Sequence, residues 1–453
     1  MMRAPSSLTC HIGFVASLAH LYMYGAIADA PLVFDPVGYN NGTYGADPHQ
    51  LYHSADIVSP LLQVNKWDSD KTDNASFIFL TITDPTHIGH SGPVIYRAED
   101  LSLVYSEPRW NAVHNAHVGH FNDRDYLVFL EQTSVDGKPS TNCLLYDSSY
   151  ELAYNVSSHS PNGSFFGIHE CFLTSHGSAT IVLTETTPFD LSPVGGDRDG
   201  NILDNIIQEI DVQTGQLLWE WRASKFFDIT ETYQELAHGF KGAFDYIHMN
   251  SVEKTGEGNF LLSSRHLHSI TFVDGSTGNI IWVLGGKKNQ FKDLSDGHAT
   301  DFHWQHHARF TNAELTRLSM FDNHNITTTI GCKVNCSRAR HVELDYEYMT
   351  ARLVQEFYHP QSLVSGFEGS YYSLPGGNVL VGWGANPTFT EHMPDGECVL
   401  DVQFDMWRTE HGYPVNYRAF KMGWKAFPKV WFRSSRPSRP WTSRLGHNHH
   451  GAT

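Results

Sequence analysis

Positive charge and long apolar segments are both scarce in this 453-residue chain. Lys and Arg number 31 against 49 Asp and Glu, so the formal net charge at pH 7 is -18. Such a surface repels nucleic-acid phosphates, which excludes nucleic acid as an expected partner. After residue 30, no stretch reaches the roughly 18 to 20 apolar residues of a membrane-spanning helix. Amphipathic helical patterns are also rare, which disfavours a helical fold.

Cysteine is sparse as well, and its count is informative. One of the six cysteines lies at position 10 and would leave with the N-terminal segment described below, so five remain and one thiol is expected to be unpaired. Cys332 and Cys336 bracket a short loop, where a disulfide would compete with glycosylation of Asn335. A zinc site is disfavoured because no second Cys or His pair with ligand spacing lies nearby. No metal or other cofactor is predicted. The remaining cysteines are Cys143, Cys171, Cys332, Cys336 and Cys398.

The N-terminal residues have the features of a signal peptide. Arg3 precedes an apolar run from Ile12 to Tyr24, and alternating alanines follow up to Ala30. We therefore predict that residues 1–30 are a signal peptide and that the protein is secreted or lumenal in the secretory pathway. Six Asn-x-Ser/Thr sequons agree with that route and predict glycosylation. They are Asn41, Asn74, Asn155, Asn162, Asn325 and Asn335. The basic tail, residues 434–453, lacks periodicity and is predicted to be disordered.

The centre of the chain contains a repeat. Asp211, Gly215 and Trp219 in EIDVQTGQLLWEW recur 63 residues later as Asp274, Gly278 and Trp282 in FVDGSTGNIIWVL. Looser copies bring the count to six units, each with a strand, a turn and a strand. Repeats that contain several strands are typical of propeller blades, so residues 31–433 are predicted to form an all-β propeller. The looser copies are centred on Asp100, Asp147, Asp345 and Asp395. The segments 155–163, 191–204 and 228–242 are predicted loop insertions.

The segment DYIHMNSVEKTGEGNFLLSSR, residues 245–265, has the composition of a functional site. If it is extended, His248 and Asn250 point to one face of a strand. A histidine beside a strand is often only a satisfied polar residue. Recurrence makes a functional role more plausible, because similar histidines precede strands at His117, His169 and His306.

Several segments together resemble the arylsulfotransferase (ASST-type) family, in particular its fungal branch. The resemblance covers roughly Phe77 to Lys425 and implies a six-bladed β-propeller. It rests on HECFLTSHGSA, QEIDVQTGQLLWEW, DYIHMNSVEKTGEGNFLLSSR, ITFVDGSTGNIIWVLGGKKNQF, WQHHARF and GSYYSLPGGNVLVGWG. Bacterial members pass a sulfuryl group from a phenolic sulfate ester to a histidine and then to a phenol, without phosphoadenosine phosphosulfate.

The resemblance also implies roles for individual residues. The nucleophile would be His306 in the pair Gln305-His306, and the supporting groups would be His169, His248, Asn250 and Arg265. Relatives usually have Asp where this chain has His307, which removes a carboxylate that would orient neighbouring groups. Inner strands of successive blades converge on one axis, so these residues are expected to line one channel.

The chemistry of these residue types fits sulfuryl transfer. A neutral imidazole is a competent nucleophile, and Arg265 and Asn250 offer donors for sulfate oxygens. His169 or His248 would exchange protons with the phenols. The aryl ring would stack on Trp304, Phe244 or Tyr246, although core packing explains each of these equally well.

Two other functions are compatible with the same residues. One is a cyclase or isomerase that acts on a natural-product phenol or enol by histidine acid-base catalysis, and the other is a non-catalytic secreted binding propeller. For the leading hypothesis, the expected partners are a small-molecule aryl sulfate donor and a phenolic acceptor.

Overall fold

The computed structural model describes most of the chain between residues 27 and 428. The described residues are 27–28, 32–52, 55–73, 76–83, 91–107, 110, 112–135, 138–160, 165–238, 242–407 and 415–428. Nearly all of the predicted signal peptide, the predicted disordered tail and the sequons at Asn74 and Asn162 lie outside them. No helix in the described part is long and apolar enough to cross a membrane.

The N-terminal part forms a small sheet beside the main body. Its strands are β1 (Ile27–Ala28), β2 (His49–Tyr52) and β3 (Ala55–Pro60). A short helix, α1 (Pro36–Asn40), begins where the Asp35 side chain accepts a hydrogen bond from the Gly38 amide. Strand β4 (Gln63–Trp67) follows and leads into the main body.

The main body consists of six sheets that follow one another along the chain. The first contains β5 (Phe77–Thr83), β6 (Gly92–Arg97) and β7 (Leu103–Ser106). The second contains β8 (Ala112–Phe121), β9 (Arg124–Val135), β10 (Lys138–Tyr146) and β11 (Leu152–Val156). The third contains β12 (Phe165–Leu173), β13 (Ser178–Phe189), β14 (Gly200–Asp211) and β15 (Leu217–Arg222).

The other three sheets repeat the same order of strands. The fourth contains β16 (Met249–Lys254), β17 (Phe260–Ser264), β18 (Ser269–Val273) and β19 (Ile280–Gly285). The fifth contains β20 (Lys292–Asp293), β21 (His306–Phe310), β22 (Arg317–Asp322), β23 (Arg338–Asp345) and β24 (Thr350–Phe357). The sixth contains β25 (Ser370–Ser373), β26 (Val379–Gly382), β27 (Thr388–His392) and β28 (Cys398–Gln403). The chain is a six-bladed β-propeller, as predicted.

Strands from both ends of the chain close the ring. Strand β4 pairs with β28 as the outermost strand of the sixth blade. Strands β29 (Val415–Asn416) and β30 (Phe420–Met422) pair with β5 in the first blade. A buried ion pair reinforces this junction, with Lys421 Nζ 2.5 Å from Glu391 Oε2. The ring is therefore held by backbone pairing at two places.

The predicted repeat has a clear structural meaning. Asp274 Oδ1 accepts hydrogen bonds from the amides of Ser276 and Thr277, and Asp211 Oδ1 accepts one from Thr214. The glycines of the two turns have positive φ angles, 72° for Gly215 and 75° for Gly278, which glycine adopts readily. The acidic residue and the glycine thus form the hairpin that joins the two outer strands of a blade.

The tryptophan of the repeat packs in the outer part of its blade. Trp282 is buried, and Trp219 stacks on Phe260 of the next blade with ring centroids 4.3 Å apart. Its neighbour Trp221 donates a hydrogen bond to the carbonyl of Gly278. The repeat therefore supplies packing between neighbouring blades.

One predicted loop insertion was partly wrong. Residues 200–204 belong to β14, because their backbone continues the ladder with β13 as far as the pair Phe189 and Gly200. The polar residues that favoured a loop are satisfied inside it, since Asp204 accepts hydrogen bonds from Ser224. Asn155 similarly lies in β11. In 228–242, short 3-10 turns occur at Ile229–Glu231 and Leu236–His238.

The cysteine predictions are confirmed. Cys332 and Cys336 form a disulfide, and Cys398 is the free cysteine of the described chain. A second disulfide, between Cys143 in β10 and Cys171 in β12, joins the second and third blades. The pairing of Cys143 with Cys171 was not predicted, because sequence spacing carries no information about neighbouring blades.

Candidate active site

The innermost strands of four successive blades are irregular near the candidate histidines. Their pairing with the next strand shifts register between His114 and His117 in β8 and between Phe166 and Cys171 in β12. Similar shifts occur in β16, between Met249 and Ser251, and in β21, between His306 and Arg309. Such bulges re-aim side chains and are common beside active sites. Here they occur where the candidate histidines lie.

The structure brings three of the predicted histidines together. The rings of His169 and His248 are 4.9 Å apart between centroids. Tyr417 lies among the others, with its ring centroid 5.9 Å from His169, 6.3 Å from His306 and 6.0 Å from His114. Residues from the second, third and fifth blades thus meet around one aromatic side chain of the first blade.

The contacts of His306 determine which of its nitrogens carries the proton. Nδ1 lies 2.7 Å from Oδ1 of Asn323, and the Asn323 amide nitrogen donates to the carbonyls of Ser365 and Glu368. The Asn323 oxygen must therefore accept, so the proton is on Nδ1 and Nε2 keeps a lone pair. The nearest donor to Nε2 is the Glu368 amide, at 3.3 Å. Burial and then the charge of Arg265 hold the pKa of His306 well below its ordinary value.

Arg265 is a half-buried cation beside the candidate nucleophile. Nη1 contacts Nε2 of His266 at 2.9 Å and Nη2 donates to the carbonyl of Gly366 at 3.1 Å. Its guanidinium lies 5.0 Å from the ring centroid of Trp304. It makes no ion pair with any carboxylate in the described part of the chain, and burial lowers the pKa of Arg265 to about 10. The charge of Asp245 partly offsets the effect of burial on this guanidinium, and a bound anion would offset more of it.

His248 belongs to a hydrogen-bonded cluster with Asp245 and His266. His248 Nδ1 lies 2.6 Å from Asp245 Oδ2, and His266 Nδ1 contacts the Asp245 carbonyl. Burial alone would raise the pKa of Asp245, but the neighbouring imidazoles, His248 first, bring it well below its usual range. The potential ligand atoms of the three side chains lie close enough together to bind a metal ion. However, both nitrogens of His266 are already engaged, one of them by the Arg265 cation.

Asn250 has a different place from the one expected. The segment is not extended at His248, whose φ of 51° precedes the start of β16, so the argument that the two side chains share a strand face was wrong. The Asn250 amide donates to the carbonyl of Gln305 at 2.7 Å. Gln305 is itself anchored by Ser263, Ser264 and Ser269 in the fourth blade. Asn250 and Gln305 therefore position the backbone that precedes His306.

A second layer of charged residues lies beside the histidines. Arg418 donates to Glu170 and to the carbonyls of His169 and Asn250, and Arg309 pairs with the same Glu170 carboxylate. Burial would raise the pKa of Glu170, but the two arginines lower it. This ion cluster ties the first, third, fourth and fifth blades together at the axis.

His117 and His307 belong to this second layer. Both rings approach Phe420, at 5.3 Å and 5.7 Å, and Arg418 contributes to the lowered pKa of each. His307 has a φ of 54° and is fully buried. His307 thus lies in the layer that contains Arg309 and Arg418.

Of the three aromatic residues expected either to stack on an aryl ring or to pack in the core, two pack in the core. Phe244 and Tyr246 lie in the apolar core between the third and fourth blades, so they do not line the site. Trp304 is partly exposed, carries the Arg265 guanidinium on its face and meets the edge of His266 at 5.6 Å.

Three residues of the site were missed. Asn323 follows β22, Glu368 precedes β25, and Tyr417 lies between β29 and β30. Burial raises the pKa of Glu368 to about 8, and burial likewise raises the pKa of Tyr417 well above its usual value. A signal existed for Glu368, since glycines precede and follow it in SGFEGS. Asn323 and Tyr417 carry no such signal.

Comparisons with known proteins place the chain in a family. Similar solved structures include a protein of unknown function from Bacteroides caccae, with 10% identity, a TM-score of 0.44, and coverage of 77% of this chain and 99% of that one. Another is the periplasmic gluconolactonase PpgL of Pseudomonas aeruginosa, with 10% identity, a TM-score of 0.40 and coverage of 77% and 99%. No curated protein matches the chain. The family model for arylsulfotransferases (ASST) matches residues 117–405, more than half of the sequence, so the chain belongs to the arylsulfotransferase (ASST) family.

Proposed function

We propose that this protein is an aryl sulfotransferase of the fungal branch that works through a covalent sulfohistidine at His306. It would move a sulfuryl group from a phenolic sulfate ester to a phenolic acceptor, independently of phosphoadenosine phosphosulfate. The observation that carries the proposal is the combination at the channel axis. A neutral imidazole with its Nε2 lone pair available lies within the field of Arg265, a half-buried cation that makes no ion pair in the described part of the chain.

The first half-reaction loads the enzyme. Arg265 binds the sulfate oxygens of the donor, and Nε2 of His306 attacks the sulfur as the bond to the aryl oxygen breaks. Sulfuryl transfer, like phosphoryl transfer, spreads charge over the peripheral oxygens, so positioned cationic donors supply most of the stabilisation. The Asn323 side-chain oxygen stabilises the positive charge that develops on the ring, because it accepts a hydrogen bond from the Nδ1–H group of His306.

The second half-reaction returns the free imidazole. The acceptor phenol attacks the sulfur, and the electron pair of the N–S bond goes back to Nε2. Burial and then the charge of His248 hold the pKa of His169 well below its ordinary value, so His169 is neutral at pH 7 and has no proton to donate as an imidazolium. Of the two histidines proposed for proton exchange, His248 is oriented by Asp245.

The decisive experiment uses purified protein, 4-nitrophenyl sulfate and a phenol, without any phosphoadenosine phosphosulfate. Release of 4-nitrophenol that depends on the acceptor, and a sulfuryl mass increase in quenched protein, are expected for the wild type. Both should vanish in His306→Ala. Absence of release and adduct with several aryl sulfates would contradict the proposal and favour proton-transfer chemistry on a phenol or enol.

We also propose that the protein is a secreted glycoprotein. Two disulfides are typical of an oxidising compartment. The sequon asparagines Asn41, Asn155, Asn325 and Asn335 are exposed. Expression in a eukaryotic secretory host followed by glycosidase treatment tests this, and an intracellular product without a mass shift would contradict it.

A further inference from the structure

The mechanism above leaves one buried acid at the axis without a role. Glu368 is 8% exposed, and its Oε2 has no hydrogen-bond partner. A buried carboxylate would normally be paired with a cation or with several donors. Burial raises the pKa of Glu368 to about 8, so the side chain is protonated at neutral pH and can act as a donor.

The backbone of Glu368 is attached to the candidate nucleophile. Its amide is the donor that lies 3.3 Å from His306 Nε2, and its carbonyl accepts from the same Asn323 that orients the ring. The 3.3 Å contact is long for a hydrogen bond, so an incoming sulfuryl group can displace it. The backbone amide of Glu368 thus lies beside the nitrogen to which sulfur would bind.

The conformation of Glu368 is unusual and firmly held. Its φ is 61°, a left-handed value that non-glycine residues adopt rarely, and such strain concentrates at functional sites. The Gly369 amide donates to the Tyr417 carbonyl. A Cβ on Gly369 would lie 2.4 Å from the Phe321 ring, and a Cβ on Gly366 would lie 2.4 Å from the Ile326 carbonyl oxygen. Gly366 and Gly369 therefore allow the backbone on both sides of Glu368 to pack closely against its neighbours.

The other acid-base candidates are less suited to donate a proton. His169 is neutral, as shown above. His248 has a 28% exposed side chain, and its Nδ1 faces Asp245, so it lies nearer the rim than the buried Glu368. Burial raises the pKa of Tyr417 well above its usual value, and Glu368 adds to this, so the Tyr417 hydroxyl keeps its proton and serves only as a hydrogen-bond donor.

We infer that Glu368 is the proton donor to the departing phenolic oxygen and the base that accepts the proton of the incoming phenol. The inference rests on the proposed sulfuryl transfer. In the first step, Nε2 of His306 bonds to sulfur, the S–O(aryl) bond breaks, and its electron pair takes the proton of the Glu368 carboxyl. The products are a phenol, a sulfohistidine and the Glu368 carboxylate.

In the second step, the flow of protons reverses. The Glu368 carboxylate removes the proton of the acceptor phenol as its oxygen bonds to sulfur, and the N–S electron pair returns to Nε2. Protons and electrons balance over the cycle, and no further reactant is needed. Tyr417 is the titratable group that interacts electrostatically with the carboxyl, and the backbone amide of Glu368 contacts the His306 ring.

The inference predicts a dependence on the leaving group. The variant Glu368→Gln keeps the shape of the side chain but cannot transfer a proton. We expect kcat/KM for phenyl sulfate, whose phenol is a poor leaving group, to fall about 100-fold or more, and kcat/KM for 4-nitrophenyl sulfate to fall less than about 5-fold. Intact mass should show the adduct with 4-nitrophenyl sulfate but little with phenyl sulfate.

Glu253→Gln is the matched control. Burial also raises the pKa of Glu253, to about 7, but its carboxylate accepts the Phe310 amide. We expect this control to treat both donors like the wild type. A thermal unfolding midpoint shows whether Glu368→Gln is folded. If it is not, Glu368→Asp is measured instead, with the same selective loss expected because a shorter acid reaches the leaving oxygen poorly.

The outcomes separate the two proposals. Equal losses for both donors in a folded Glu368 variant would overturn the role of Glu368 while the wild-type adduct still supports sulfuryl transfer. Absence of an adduct in the wild type with either donor would overturn both. A selective loss with phenyl sulfate establishes the proton transfer.

Discussion

Asn323 determines the tautomer of His306. The amide nitrogen of Asn323 is committed to two backbone carbonyls, so only its oxygen, 2.7 Å from His306 Nδ1, is left to face the ring. Asn323 therefore determines which nitrogen of His306 is the candidate nucleophile, and this effect requires no contact between Asn323 and the substrate.

We expect Asn323→Ala to lower the rate of adduct formation by roughly 100-fold or more, because the ring then populates the wrong tautomer and orientation. Stopped-flow release of 4-nitrophenol measures this rate. Asn205→Ala is the control, since Asn205 is also buried and accepts the Met249 amide. It should lower stability but leave the rate per folded molecule unchanged, and an equal rate loss in both variants would contradict the tautomer argument.

Replacement of Arg265 should separate activity from stability. Arg265→Gln is expected to lower kcat/KM for an aryl sulfate by about 100-fold, because the developing charge on the sulfate oxygens loses its cation. The thermal midpoint should stay the same or rise, since a half-buried charge that makes no ion pair in the described part of the chain is removed. Arg222→Gln, at a partly buried ion-pair network with Glu185, is the control and should retain activity. A destabilised Arg265→Gln with wild-type kinetics would mean that Arg265 is structural.

Acid should destabilise the fold. Burial lowers the pKa of His114 and His392 to about 4 and that of His266 and His268 to about 3. Below pH 6.5 the unfolded chain binds protons that the folded chain refuses, so the free energy of unfolding falls as the pH drops from 6.5 towards these values.

Two glutamates act in the opposite sense, but they are fewer. The raised pKa values of Glu253 and Glu368 contribute stability below about pH 4.5 that is lost as the pH rises through about 7 and 8. We therefore expect the thermal midpoint to be lower at pH 5 than at pH 6.5. A midpoint that rises on acidification over this range would contradict the burial of neutral histidines.

The two disulfides should contribute unequally. Cys143 and Cys171 are 28 residues apart, and Cys332 and Cys336 only 4. By the chain-entropy relation, the longer loop is worth about 3.6 kcal/mol and the shorter about 2 kcal/mol. The Cys143→Ala/Cys171→Ala variant should therefore unfold at lower denaturant concentration than Cys332→Ala/Cys336→Ala. The reverse order would show that the bridge between blades contributes little.

The ion pair at the ring closure should be sensitive to removal of one partner. Lys421→Met leaves the buried Glu391 carboxylate without its cation and is expected to cost about 3–5 kcal/mol of unfolding free energy. The double variant Lys421→Met/Glu391→Gln should recover much of this loss. Lys71→Met, at an exposed pair with Glu397, should change stability by less than about 1 kcal/mol. Equal effects at both lysines would contradict the closure role.

Local patterns in the sequence predicted the architecture well. The equivalence of Asp211 and Asp274 follows from turn chemistry, because an aspartate side chain and a glycine with positive φ are needed wherever that hairpin occurs. The extent of β14 was not predictable in the same way. Its polar residues resemble a loop until their partners, such as Ser224 for Asp204, are known.

The residue types at the axis could also be predicted from the sequence, because His306, His248 and Arg265 each lie in a short contiguous motif. Their roles were less readable. Asn250 was expected to donate a hydrogen bond to sulfate oxygens. In the structure its side-chain amide donates to the carbonyl of Gln305, a residue 55 positions away.

The sequence by itself determined a repeated β-fold, its histidine-rich centre and the presence of an arginine that suits an anion, since each of these depends on residue type and local spacing. Only the tertiary structure decided which nitrogen of His306 carries a lone pair, that Arg265 makes no ion pair in the described part of the chain, and that Glu368 joins the site. Those properties depend on burial and on contacts between blades, and closure of the ring brings such residues together from distant parts of the chain.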